Sequence, residues 1–243
     1  PMLQPWLRSG ELGAHVCVFN NLIGREFSAS VDVSVTGNPA ISKQVSLAVK
    51  GRKAFDRKRQ NDTRHVVFLM SRKETFERQN LLMSAPSEAS YCSDINDKII
   101  SGLNSLLKGD DGFKASVRPH PAERYEYIGD RLKLGMVECR PEGEALADCL
   151  AIADFVVFTV STAGLIASLS GIPTVRVKGS MFDSQLPFEK YFSFSSVVPW
   201  DHVKDAILGC QFHKTSPIME RNSRKPAQLI ADKLEMLGAR YAN

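Results

Sequence analysis

At 243 residues, 43% hydrophobic and 24% charged, the chain has ordinary globular composition and the length of one large domain or two small ones. A net charge of +4 and a pI near 8.8 favour anionic ligands slightly and fall short of the basic excess of a nucleic-acid surface, so no nucleic-acid partner is expected. The five cysteines are scattered with no CxxC pair, which argues against a zinc site and for reduced thiols; no run approaches the roughly 18 apolar residues of a membrane span and no signal peptide is visible, so a cytoplasmic protein is expected.

Taken in order, His15 to Phe19 reads as a short buried strand. Val31 to Thr36 alternates weakly and stops at Gly37-Asn38-Pro39, a strand-ending turn. Residues 51–64 are dense in Lys and Arg and poor in apolar residues, the pattern of a solvated linker between domains. His65 to Met70 is the next strand, and 71–92 a long polar connection. Asp94 to Leu107 carries an apolar stripe at 95, 99, 100, 103, 106 and 107, which predicts a helix capped at Ser93 or Asp94. Phe113 to Arg118 is a strand, Ala122 to Leu132 a helix, Gly135 to Cys139 a strand and Glu144 to Ala153 a helix.

The next stretch is strand, turn, helix, strand. Phe155 to Phe158 is apolar, Ser161 to Gly164 is a small polar turn, a helix runs to Ser170, and Gly171 and Pro173 end it before a second apolar run from Thr174. An aromatic-rich loop spans Lys178 to Tyr191. A strand at Ser195 to Val198, a helix over Trp200 to Leu208 and a terminal helix within 222–243 complete the pattern. Strands alternating with helices on this scale predict an α/β, Rossmann-like open parallel sheet with right-handed crossovers over 65–221. Ligands of such sheets bind outside the carboxyl ends of the strands. Ser71-Arg72, Arg118 to Pro121 and Thr159 to Gly164 all fall at such ends.

His120 is held between Pro119 and Pro121, which stiffen the backbone on both sides. An imidazole presented there can donate to a phosphate oxygen or act as an acid toward a leaving phosphate. Arg118 can meet the same anion or form a surface salt bridge. Ser161, Thr162, Ala163 and Gly164 offer hydroxyls and helix-terminal N–H groups to a phosphate, and the same residues read equally well as an ordinary helix cap. Asp183 and Glu189 are candidates for sugar contacts, the alternative being a loop packed by its own aromatics. There is no GxGxxG, no P-loop and no GxSxG.

The order of GNP at 37–39, a basic linker, RPHP at 118–121 and STAGLIASLSGIP at 161–173 resembles the carboxyl-terminal, donor-nucleotide half of a GT-B glycosyltransferase. It is most similar to bacterial sialyltransferases, Kdo transferases and CDP-glycerol-type polyol-phosphate transferases. The resemblance covers about residues 30–210. It implies that His120-Pro121 is the HP motif and Ser161-Thr162 the Ser/Thr motif, together holding the donor's phosphate. It implies transfer of a sugar from a nucleotide-sugar to a saccharide acceptor in surface-polysaccharide synthesis, with no cofactor and, in the absence of a DxD motif, no metal.

Residues 1–50 would then belong to an amino-terminal acceptor domain, which in several such enzymes supplies the general base. That domain, or a second copy of the chain, and a peripheral membrane surface are the partners implied. The chain starts at Pro1, as a processed or excised product would. One departure bears on the donor. UDP- and GDP-sugar enzymes of this type, and the UDP-GlcNAc 2-epimerases, carry a ribose-binding glutamate where this chain has Ile166. Cytidine-linked donors are therefore favoured. A non-catalytic nucleotide- or sugar-phosphate-binding module and a nucleotide-sugar epimerase are the alternatives.

Overall fold

The computed structural model describes residues 15–25, 27, 31–56, 63–71, 94–132, 135–180, 183, 188–209, 228–232 and 234–235. Two compact units divide the chain, one of residues 1–44 with 219–243 and one of residues 45–218.

In the first unit, β1 (His15–Val18) and β2 (Asp32–Val35) pair in parallel, with His15 opposite Asp32 and Val18 opposite Val35. Between them lies the short helix α1 (Asn21–Gly24), capped where Asn20 Oδ1 accepts from the Ile23 N–H at 2.9 Å. The GNP turn then does two jobs. Gly37, at φ 74°, folds back so that its N–H reaches the Val18 carbonyl at 3.2 Å. Asn38 Oδ1 accepts from Ala40 and Ile41 N–H at 3.0 and 3.2 Å and starts α2 (Pro39–Asp56), with Pro39 in the first helical position. Residues of α2 from Val45 onward belong to the second unit. The stretch expected as a linker at 51–64 is therefore helix up to Asp56. The helix packs through Val45 and Ala48, each 1% exposed, and residues 57–62 lie outside the described residues.

The second unit runs β3 (Arg64–Leu69), α3 (Ile95–Gly109), β4 (Phe113–Arg118), α4 (Tyr125–Leu132), β5 (Glu138–Cys139), α5 (Leu146–Ala151), β6 (Phe155–Phe158), α6 (Thr162–Leu169), β7 (Thr174–Lys178), α7 (Phe188–Tyr191) and β8 (Ser196–Pro199), then a 3₁₀ turn (Trp200–His202) and α8 (Val203–Gly209). The six strands form one sheet in the order β5-β4-β3-β6-β7-β8, and every neighbouring pair is parallel. The order reverses between β3 and β6. From β3 the chain steps outward to β4 and β5, then returns to β6 and steps the other way. This is a doubly wound, Rossmann-like sheet, and the β3–β6 boundary is its topological switch point.

Parallel strands covered on both faces must be apolar on both, and the β3 and β6 runs obey this. Val66, Val67, Phe68, Phe155, Val156, Val157 and Phe158 are all 0% exposed. On one face Val66, Phe68, Val117 and Val157 share a core with Ile99 and Leu103 of α3, Ile128 and Leu132 of α4, and Val203 and Ile207 of α8. On the other face α6 lies so close to β6 that a Cβ on Gly164 would overlap the Phe158 ring. Gly164 is thus needed for helix–strand packing. A Gly164→Ala chain is expected to lose about 1–3 kcal/mol, read as a lower midpoint in urea. An unchanged midpoint would show that the Phe158 ring gives way freely.

Helix starts differ from the sequence reading in two places. α4 begins at Tyr125 rather than Ala122, because the backbone after Pro121 first closes a turn with the Glu123 N–H on the His120 carbonyl at 2.8 Å. α5 begins at Leu146 rather than Glu144, where the Glu144 N–H instead meets the Pro141 carbonyl at 3.3 Å. Of the terminal helix expected within 222–243, residues 228–232 and 234–235 are helical and the rest lie outside the described residues.

Candidate ligand site at the carboxyl rim

The carboxyl ends of β4, β3 and β6 stand side by side, as the strand order requires. The Met70 N–H continues the ladder to the Arg118 carbonyl at 3.0 Å. Beyond it, Ser71 Oγ and Thr159 Oγ1 are hydrogen-bonded across the switch point, and Ser71 Oγ also reaches the Val160 carbonyl at 3.5 Å. Both residues are buried, Thr159 completely. The Ser71 carbonyl accepts from Asn96 Nδ2, near the start of α3, at 2.9 Å. Arg72, flagged with Ser71, lies outside the described residues.

Ser161 adopts an extended conformation (φ −154°, ψ 133°) and caps α6. Its Oγ accepts from the Ala163 N–H at 3.1 Å, and its carbonyl from the Leu165 N–H at 3.2 Å. The Ala163 N–H, expected to face a phosphate, is therefore already held by the cap. The N–H groups of Thr162 and Gly164 have no hydrogen-bond partner among the described residues. With the aligned peptide dipoles of α6 behind them they form a locally positive terminus, and the exposed Thr162 sits at its mouth.

Two strands over, past β3, His120 is exposed on its proline-flanked turn. Its Nδ1 accepts from the Ala122 N–H at 3.1 Å. In the neutral ring that bond places the proton on Nε2, which makes Nε2 a donor. Tyr125 braces the turn by donating from its hydroxyl to the Pro119 carbonyl at 3.3 Å. Burial raises the Tyr125 pKa, which keeps that hydroxyl protonated. Arg118 is anchored from the rim toward α5, where its Nη2 donates to the Glu144 carbonyl at 2.9 Å. Glu144 is itself paired to Arg140, whose pKa this bond raises.

Asp183 and Glu189 are both committed to one residue that the sequence reading passed over. Arg176, on β7, is 0% exposed. Its Nη2 donates to Asp183 Oδ1 at 2.9 Å and its Nη1 pairs with Glu189 Oε2. Asp183 Oδ2 also accepts from Gly179 and Ser180 N–H at 2.8 and 3.1 Å, and Glu189 Oε1 meets Lys178 Nζ at 3.0 Å. The Phe188 ring lies 5.6 Å from the guanidinium carbon. Burial pushes the Arg176 pKa below its usual range and that of Asp183 above it. Two cations against two carboxylates leave the group balanced. An arginine inside an otherwise apolar strand run was the available signal, because a buried cation requires anionic partners. Asn96 gave no such signal, since asparagine is common near helix starts.

Two other reactive-looking groups lie outside this rim. His65 Nε2 is 3.0 Å from Ser116 Oγ, but Ser116 is 0% exposed and His65 sits near the amino end of β3. Burial, with Arg140, lowers the His65 pKa, so this is a neutral packing contact. Burial pushes the Cys149 thiol up to about 12, which removes it as a nucleophile at neutral pH. Among the described residues no three His, Cys, Asp or Glu gather as for a metal ion, and no helix is long and apolar enough to cross a membrane.

Fold and site together define a doubly wound α/β protein with polar groups gathered at the switch-point end of its sheet. No family model matches the chain, and no curated protein matches it. Solved structures similar to it include the beta Kdo 2,4 transferase KpsC of Thermosulfurimonas dismutans, 16% identical over 58% of this chain and 46% of that one, with a TM-score of 0.34. They also include the wall teichoic acid polymerase TagF: one variant is 11% identical over 80% and 48% with a TM-score of 0.45, and a form with CDPG is 12% identical over 80% and 46% with a TM-score of 0.41. The chain spans 46–48% of the length of these structures.

Proposed function

We propose that residues 45–218 are the donor-nucleotide unit of a GT-B-type glycosyltransferase, moving a sugar from a cytidine-linked donor to a saccharide acceptor. The observation that carries this reading is the placement of the His120 turn and the Ser161-capped start of α6 on one rim, at and beside the switch point. The donor's phosphate rests on the Thr162 and Gly164 N–H groups and the Thr162 hydroxyl, where the helix dipole favours negative charge. His120 Nε2 donates to the phosphate oxygen on which charge grows as the sugar–phosphate bond breaks. These groups are fixed before the reaction, which is what makes such donors effective in a transition state.

Ile166 supports a cytidine-linked donor over a uridine-linked one, being apolar and 5% exposed where the similar UDP-sugar enzymes carry an acid. The same residue, with the Ala163 N–H held by the cap, also favours a second reading, a binding module that holds a nucleotide without transferring its sugar. Thermal unfolding with CMP, CDP, UDP and GDP tests the site common to both. At a hundredfold excess over Kd a ligand adds about 2.7 kcal/mol, a rise of roughly 5–10 °C for a chain of this size. A shift with the cytidine nucleotides alone is expected, and no shift with any of the four would overturn the site. Release of CMP from a CMP-linked sugar then separates the transferase from the module.

A further inference from the structure

Asn96 is 7% exposed and lies in the first turn of α3. Its Nδ2 is committed to the Ser71 carbonyl at 2.9 Å, while its Oδ1 is buried with no hydrogen-bond partner among the described residues. A buried acceptor left in this way costs about 1–3 kcal/mol. Turning the amide over gives no relief, because Oδ1 would then face the Ser71 carbonyl, acceptor against acceptor. Native proteins leave few such groups, and those they keep call for an explanation.

The surroundings of Asn96 supply one. Ser71, which it holds, is bonded to Thr159 and reaches the Val160 carbonyl, the residue before the α6 cap. The bonds from Asn96 thus lead through Ser71 to Thr159 and Val160, the residues that run into the α6 cap at the switch point. The unsatisfied acceptor and the open N–H groups of α6 make opposite chemical demands. The helix terminus attracts an anion. The Asn96 oxygen repels a phosphate oxygen and accepts only from a neutral O–H or N–H. A ligand that satisfies both carries a phosphate and a hydroxyl. A nucleotide, with its phosphate next to its ribose, has that arrangement.

We propose that Asn96 Oδ1 accepts a hydrogen bond from a ribose hydroxyl of the nucleotide whose phosphate rests on the start of α6. This rests on the reading of the rim as a nucleotide site and names the group that reads the ribose there. Asn96 is a specificity residue for ribonucleotides.

Calorimetric titration of the full chain with CMP, 2′-deoxy-CMP, 3′-deoxy-CMP and inorganic phosphate tests it, in the wild type and in Asn96→Ala. The wild type is expected to bind CMP about tenfold more tightly than one of the two deoxy analogues. Asn96→Ala should lose that preference, binding CMP about as weakly as the analogue, with phosphate binding unchanged. Equal losses for CMP, both analogues and phosphate would mark Asn96 as purely structural and overturn the proposal, as would a variant that binds CMP like the wild type. Should the variant fail to fold, the wild type still decides, since indifference to both deoxy substitutions overturns the proposal and discrimination supports it. A wild type that binds neither CMP nor phosphate would instead bring down the reading of the rim, and this inference with it.

Discussion

A His120→Ala chain is expected to release CMP from a CMP-linked sugar about 10²–10⁴-fold more slowly than the wild type, with the loss in kcat rather than in KM. The imidazole is exposed, and the bond it accepts within the turn, from Ala122 N–H to Nδ1, lies at the surface. Its removal should therefore leave the melting temperature within a few degrees. That bond orients the ring and leaves Nε2 as donor, so the geometry matters as much as the residue type. His120→Gln sharpens the test. A glutamine amide can still donate a hydrogen bond but cannot give up a proton. Partial activity in His120→Gln points to hydrogen bonding as the main role, and activity as low as in the alanine variant points to proton transfer. Unchanged turnover in the alanine variant would sink the assignment.

Arg176→Met is expected to be the most destabilising single change among the residues discussed, by about 3 kcal/mol, read as a loss of stability in urea. Removing the guanidinium strands Asp183, whose side chain is 18% exposed, without its cation. Glu189 is 30% exposed and keeps Lys178 at 3.0 Å, so it suffers less, and the estimate sits at the low end for a broken buried pair. Adding Asp183→Asn to Arg176→Met should recover part of the loss, because the amide carries no charge to bury while its oxygen still accepts from Gly179 and Ser180 N–H. A loss below about 1 kcal/mol in the single variant would show that the segment after β7 does not depend on this cation.

The features legible in the sequence share one property: their chemistry is local. Two prolines around His120 stiffen a turn wherever it is placed. Ser161 before a run of helix formers is a cap in any fold. Apolar runs such as Phe155 to Phe158 read as buried strands because both faces of a parallel sheet must be apolar. The basic stretch after Lys50 reads as a linker, and the helix started by Asn38 continues into it as far as Asp56.

By itself, then, the sequence determined the alternation of strands and helices, the parallel sheet it implies, and the two turns that carry His120 and Ser161. Each follows from backbone preference and side-chain periodicity within a window of a few residues. Only the tertiary structure decided that the order reverses between β3 and β6, that Ser71 meets Thr159 across 88 positions of chain, and that Asn96 holds the Ser71 carbonyl with its own acceptor unsatisfied. It alone showed that Asp183 and Glu189 are held by Arg176. The physical reason is that strand order and register set which distant side chains become neighbours, and the polar pairing that burial then demands has no signature in local sequence.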